Sequence, residues 1–153
     1  VLLQARAFTS DDFALSHPAG SLGKRLLLRV ADIMHKDEAL PAVLLGTPLK
    51  EAIVRMSEKG LGMLAVTDVE GRLKGVFTDG DLRRLFQERD SFAGLKVDDI
   101  MHASPKTISA DRLATEALKA MQSGHVNGLL VIEENGVLIG ALNMHDLLMA
   151  RIV

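Results

Sequence analysis

The sequence states one unit twice, and this repeat constrains the fold more than any other feature of the chain. Val30-Ala31-Asp32-Ile33-Met34-His35 returns as Val97-Asp98-Asp99-Ile100-Met101-His102. Gly71-Arg72-Leu73-Lys74-Gly75-Val76-Phe77-Thr78-Asp79-Gly80-Asp81-Leu82 returns as Gly136-Val137-Leu138-Ile139-Gly140-Ala141-Leu142-Asn143-Met144-His145-Asp146-Leu147. The offset is 67 residues at the opening match (97 minus 30) and 65 at the closing match (136 minus 71), so the second repeat is two residues shorter between them. Matches this long at nearly constant offset make the repeat the expected unit of structure.

Each repeat predicts the order strand, helix, strand, strand, helix. Residues 40–44 and 106–108 read as short strands. Leu49, Ala52, Ile53 and Met56 fall at i, i+3, i+4 and i+7, as do Ala114, Ala117, Leu118 and Met121, which gives each repeat an amphipathic helix. Thr47, and Ser109 or Asp111 in the second repeat, are the expected N-caps, with Gly60 and Gly124 as stops. β-rich runs follow at 63–67 and 73–77, and again at 129–132 and 137–142 around the hairpin signal Asn135-Gly136. A further helix starts at Thr78 or Asn143. The fold class is therefore α+β, with residues 1–29 as a lead-in, 30–86 the first repeat, 87–96 a linker and 97–153 the second repeat. One such unit buries its sheet poorly alone, so the two should pack about a pseudo-twofold axis that creates two equivalent clefts.

At 153 residues and 48% hydrophobic content the chain suits one domain with a packed core. A formal charge of −2 gives no electrostatic case for nucleic acid or a membrane surface, and no apolar run approaches the ~20 residues of a spanning helix. The absence of cysteine excludes a disulfide framework and fits a reducing, cytoplasmic compartment. Val1-Leu2-Leu3-Gln4-Ala5-Arg6-Ala7 reads as the end of an amphipathic helix entered partway, so a piece of a longer protein is expected.

The richest chemistry lies in Gly75-Val76-Phe77-Thr78-Asp79-Gly80-Asp81. A strand ends, a hydroxyl sits at the turn, and a carboxylate follows three residues later. Such a carboxylate can take both hydroxyls of a ribose, while the helix N-terminus and Arg83 and Arg84 suit a phosphate. The same Thr-x-x-Asp spacing is also that of a capping box, and Arg84 stands four residues before Glu88, the spacing of a surface ion pair. Of the histidines, His35 and His102 read as solvated turn residues and His125 as the cation at a helix C-terminus, whereas His145 stands inside the closing motif. Their spacing forms no compact metal set, and without cysteine no structural zinc is expected.

Two units, each opened by Asp-Ile-Met and closed by Gly-hydrophobic-hydrophobic-Thr/Asn-x-x-Asp, resemble a tandem pair of CBS domains over residues 30–152. The resemblance implies an adenosine nucleotide in a cleft between the repeats, with Thr78 and Asp81 on its ribose. The second repeat departs from the pattern. Asn143 stands for the threonine, His145 for Gly80, and Leu148 and Met149 for Arg83 and Arg84, while Asp146 answers to Asp81. One occupied site built mainly on the first repeat is therefore expected. With no Trp or Tyr, a base must lie between aliphatic side chains such as Val43, Met63 and Val76, and Asn143 and His145 are candidates to reach the far end of the ligand.

The segment from Ala7-Phe8-Thr9-Ser10-Asp11-Asp12-Phe13-Ala14-Leu15-Ser16-His17-Pro18 through Leu28 closely resembles the junction in D-arabinose 5-phosphate isomerases, which join an N-terminal sugar isomerase domain to a CBS pair. That family interconverts D-ribulose 5-phosphate and D-arabinose 5-phosphate on the route to the lipopolysaccharide sugar Kdo. The resemblance implies a regulatory pair with no required cofactor. The expected nucleotide ligand is AMP or ATP, or the nucleotide sugar CMP-Kdo. It further implies a catalytic role for His17 in the full-length enzyme alone, and a homodimer of CBS pairs within a homo-oligomer. Two alternatives stay open: a constitutive oligomerisation module with empty clefts, and the CBS pair of the paralogous isomerase of sugar-alcohol operons.

Overall fold

The computed structural model describes residues 22–153, and the expectation for His17 falls outside the described residues. Two short helices, α1 (Leu22–Leu27) and α2 (Val30–Ile33), lead into the first repeat. It consists of β1 (Ala42–Leu44), α3 (Leu49–Lys59), β2 (Met63–Thr67), β3 (Leu73–Thr78) and α4 (Asp79–Glu88). The second repeat follows with β4 (Thr107–Ile108), α5 (Ala114–Gly124), β5 (Gly128–Ile132), β6 (Leu138–Asn143) and α6 (Met144–Met149). The α+β architecture is two three-stranded sheets, β1-β2-β3 and β4-β5-β6, each with its first pair parallel and its second antiparallel.

The pseudo-twofold axis is visible in the hydrogen bonds that join the sheets. Arg72 pairs with Val137, its own counterpart 65 positions on (137 minus 72), and Leu73 N donates to Gly136 O just as Leu138 N donates to Gly71 O, both at 2.9 Å. Every residue of β2 is buried, and alternation along the strand sorts them. Leu64 and Val66 join Leu49, Ala52, Met56 and Phe77 in the first repeat's core, whereas Met63 and Ala65 meet Leu130, Leu138 and Ala141 of the second repeat. A strand covered on both faces has no polar side, which is why Met63–Thr67 reads as an apolar run rather than an alternation.

The sequence unit and the packing unit differ at the opening motif. Val30, Ile33 and Met34 belong to the second repeat's core with Ala117, Met121 and Leu142, while Val97, Ile100 and Met101 belong to the first repeat's core with Leu49 and Phe77. Each opening segment adds a two-way backbone pair to the last strand of the other repeat: His35 with Ala141 at 2.8 and 3.0 Å, and His102 with Val76 at 2.8 and 2.9 Å. Room for the crossing comes from two glycines. A Cβ on Gly75 would stand 2.6 Å from Met101 Sδ and 2.8 Å from the His102 carbonyl oxygen, and Gly140 faces Met34 in the same way.

The expected helix caps are partly displaced. Thr47 does not cap α3, because its hydroxyl donates to Leu44 O at 2.7 Å and leaves Pro48 at the N-cap. Neither Ser109 nor Asp111 caps α5; the N-cap is Leu113, whose N–H donates to Glu116 Oε1 at 2.9 Å. Gly60 does end α3 in the left-handed region (φ 69°), whereas α5 runs through Gly124 and stops at His125, held left-handed at φ 53°.

Gly75→Ala should lower the unfolding free energy by about 1–3 kcal/mol, because the new methyl meets backbone that cannot move without breaking the His102–Val76 pair. Gly124→Ala, whose Cβ finds its nearest neighbour 3.5 Å away on a flexible lysine, should stay within about 0.5 kcal/mol of the parent. Denaturant titration of both variants checks the contrast.

Candidate functional site

The β3–α4 turn is a full capping box. Thr78 Oγ1 accepts from Asp81 N at 3.2 Å and Asp81 Oδ2 accepts from Thr78 N at 2.8 Å, which satisfies two donors that the helix start would otherwise leave open. The other carboxylate oxygen faces away from the cap. Asp81 Oδ1 accepts from Arg84 Nη2 and lies 2.6 Å from His102 Nε2. Arg84 thus turns back to Asp81 rather than forward to Glu88. Burial of Asp81, only 8% exposed, pushes its carboxyl up, but the Thr78 amide, the His102 ring, the Thr78 hydroxyl and the Arg84 guanidinium together hold it below the ordinary carboxylate value.

These groups line a cleft of about 1050 Å³ between the repeats. Thr78, Asp81, Arg83 and Arg84 line it, together with the apolar Met63 and Val76. His102, Ser104 and Lys106 on the segment entering β4, His125, Asn127 and Leu130 at or just before β5, and Asn143 and His145 at the start of α6 also line it. The lining is rich in donors of positive charge: Arg83, Arg84 and Lys106, with three histidines, against Asp79 and Asp81. Asn143 already has protein partners on both ends of its amide, its Oδ1 accepting from Asp146 N at 2.9 Å and its Nδ2 donating to Leu61 O of the first repeat at 3.5 Å.

Two candidates are not brought to the cleft. Val43 pairs with Val66 across the parallel strands and shares its inward face, so it packs into the first repeat's core. Asp146 repeats the role of Asp81 on the far side of the axis, accepting from Asn143 N at 2.8 Å and meeting His35 Nε2 at 2.8 Å. The sequence reading also missed contacts at and around the cleft. His35 and His102 are not free turn residues; each closes onto the aspartate of the opposite repeat, 111 and 21 residues away. The signal available was that both opening matches end in histidine and both closing matches contain aspartate. Lys106 and Asn127 carried no such signal.

The two sides of the axis are unequal. Between the opening histidine and the first strand the first repeat has six residues, 36–41, and the second has four, 103–106. The longer segment folds into a 3₁₀ turn at Asp37–Ala39, tied to the end of α3 by Lys59 Nζ donating to Glu38 O. The shorter one leaves the Asp81 cleft bordered by Ser104 and Lys106. Arg83 and Arg84 also have Leu148 and Met149 as counterparts, 55% and 69% exposed. Among the described residues no three His, Asp or Glu side chains group to hold a metal, and no helix is long and apolar enough to cross a membrane.

The CBS domain family matches this chain at residues 30–88 and 97–152. Over 152 residues, 99% of this chain, the sequence is 50% identical to the arabinose 5-phosphate isomerase KdsD of Pseudomonas aeruginosa and 44% identical to KdsD of Escherichia coli. The match covers 47% and 46% of those proteins, so the chain spans about half the length of the curated relatives it matches. Among solved structures, CBSX2 in complex with AMP superposes with a TM-score of 0.71 at 28% identity, covering 82% of this chain and 96% of that one.

Because its folded-state pKa is depressed, Asp81 contributes stability that is fully present above the unfolded carboxylate value near 3.9 and is lost as the pH falls through the lower folded value. Asp81→Asn should therefore cost about 1–3 kcal/mol at pH 7 and progressively less toward pH 2. Denaturation of parent and variant across that range measures the closing gap.

Proposed function

Because the chain belongs to the CBS domain family, we propose that it is the regulatory, nucleotide-sensing pair of a D-arabinose 5-phosphate isomerase. The observation that carries the ligand reading is the cleft itself. A carboxylate at a helix start, guanidinium groups one turn on, and an apolar floor of Met63, Val76 and Leu130 meet in one space. These are the parts that a ribose, a phosphate and a base require. Asp81 and Thr78 address the ribose, Arg83 and the spare N–H groups of Arg84 address the phosphate, and Lys106 adds a second cation across the cleft. The base lies on aliphatic side chains, which discriminates purine from pyrimidine weakly. The AMP complex of CBSX2 supports an adenosine nucleotide, AMP or ATP, ahead of CMP-Kdo.

In this reading residues 1–29 end a preceding sugar isomerase domain, His17 serves that domain's active site in the whole protein, and the repeats 30–86 and 97–153 carry the sensing function. The whole protein interconverts D-ribulose 5-phosphate and D-arabinose 5-phosphate. Exposed Phe86, Leu148 and Met149 on α4 and α6 serve the pairing of two copies within a homo-oligomer. One observation favours the rival of an empty oligomerisation scaffold: Asp81 already has protein partners on both oxygens.

Thermal melting with AMP, ATP, CMP and CMP-Kdo separates the two readings. A ligand at 100 times its dissociation constant adds ~2.7 kcal/mol to the folded state, and the expected result is such a shift with at least an adenosine nucleotide. No shift with any of the four leaves the scaffold. The isolated chain should also fail to isomerise D-arabinose 5-phosphate in a coupled assay, and turnover above background would overturn its role as a purely regulatory segment.

A further inference from the structure

Asp81 is nearly saturated before any ligand arrives. A carboxylate offers about four acceptor positions. Thr78 N takes one on Oδ2, while Arg84 Nη2 and the His102 ring take two on Oδ1. The Thr78 hydroxyl contests the fourth position, and a vicinal diol brings two hydroxyls. At least one present donor must therefore leave before both hydroxyls can bind.

The three donors are not equally able to leave. Thr78 N is backbone at a helix start, and its bond is half of the capping box. Arg84 sits three residues along the same helix and has five N–H donors in a planar fork, so it keeps one on Asp81 while turning others toward an anion. His102 engages Asp81 through Nε2 alone. Its side chain is 60% exposed, so a ring that rotates away meets water. Its backbone stays pinned by the two-way pair with Val76, so the ring can swing without moving the segment that carries it.

We propose that a vicinal-diol ligand binds by exchanging with the His102 ring on Asp81 Oδ1, so that a residue of the second repeat sets the selectivity of a site built on the first. This rests on the nucleotide reading above. Occupation then has a built-in readout: the ring of the opening motif loses its partner on the opposite repeat only when the ligand carries the diol.

The test compares AMP with 2′,3′-dideoxy-AMP by calorimetry on the parent, His102→Ala and His102→Gln. Removing the competing donor should raise AMP affinity about fivefold in His102→Ala and leave dideoxy-AMP unchanged, while the glutamine, which restores an amide donor, should return AMP affinity toward the parent value. Equal shifts for both ligands, or no shift for either, overturn the exchange and leave the nucleotide reading standing. Failure of the parent to bind either ligand overturns the nucleotide reading and the exchange with it. A readout on the parent alone guards against a variant that does not fold: the His102 ring resonance should move on saturation with AMP and hold its position with dideoxy-AMP. Identical behaviour with both ligands refutes the proposal.

Discussion

The crossed placement of the two opening motifs holds this molecule together. Each Asp-Ile-Met-His segment leaves its own repeat and completes the other, with apolar residues in the partner's core, a methionine laid on the partner's glycine, and a two-way backbone pair on the partner's last strand. Neither repeat then has a finished core without its neighbour. The shared layer of Met63, Ala65, Leu130, Leu138 and Ala141 adds to the same dependence, because it is buried only when the sheets face each other. Folding of the pair is for this reason expected to be one cooperative event rather than two, which accords with the size of each unit.

The crossing also explains where the cleft lies. The segment that continues from the second crossed motif into β4 lines the same cleft as the α4 start of the first repeat, whereas its counterpart in the first repeat is tied to its own α3. Six residues in the first repeat curl into a 3₁₀ turn and four in the second run more directly. Combined with the loss of both arginines at Leu148 and Met149, the two-residue difference makes the sides chemically unlike. Duplication supplied a symmetric frame, and small departures from symmetry placed the charge and the space on one side of it.

Much of the frame was legible in the sequence because it depends on local rules. The apolar spacing of Leu49, Ala52, Ile53 and Met56 fixed α3, the β-rich run Met63–Thr67 marked β2, and Gly-x-x-Thr-x-x-Asp placed the β3–α4 turn to within one residue. Eight of the ten proposed ligand-contacting residues line one cleft, since most of them sit on or beside that turn. The failures share a cause. Val43 looked equivalent to the cleft-lining residues by apolarity, but its side is set by pairing with Val66, a partner 23 residues on (66 minus 43). His35 and His102 looked solvated because their partners belong to the opposite repeat. Thr47, Ser109 and Asp111 had the right chemistry for caps, but the Thr47 hydroxyl is spent on Leu44 O and α5 starts only after Leu113.

Asp81 joins these levels. Its Oδ2 serves the local helix start, its Oδ1 serves the contact between repeats, and the carboxylate as a whole borders the cleft. The capping and binding readings of the closing motif, which compete when the sequence stands alone, are therefore compatible in the folded chain. The cap fixes the carboxylate's position and leaves one oxygen turned outward. What that oxygen meets is decided by the opposite repeat, which already places a histidine there. If the proposed exchange holds, occupancy is converted into a change of contact across the pseudo-twofold axis. In that exchange the change falls on one side chain of the segment that completes the other repeat's packing, while the backbone pair with Val76 keeps that segment in place.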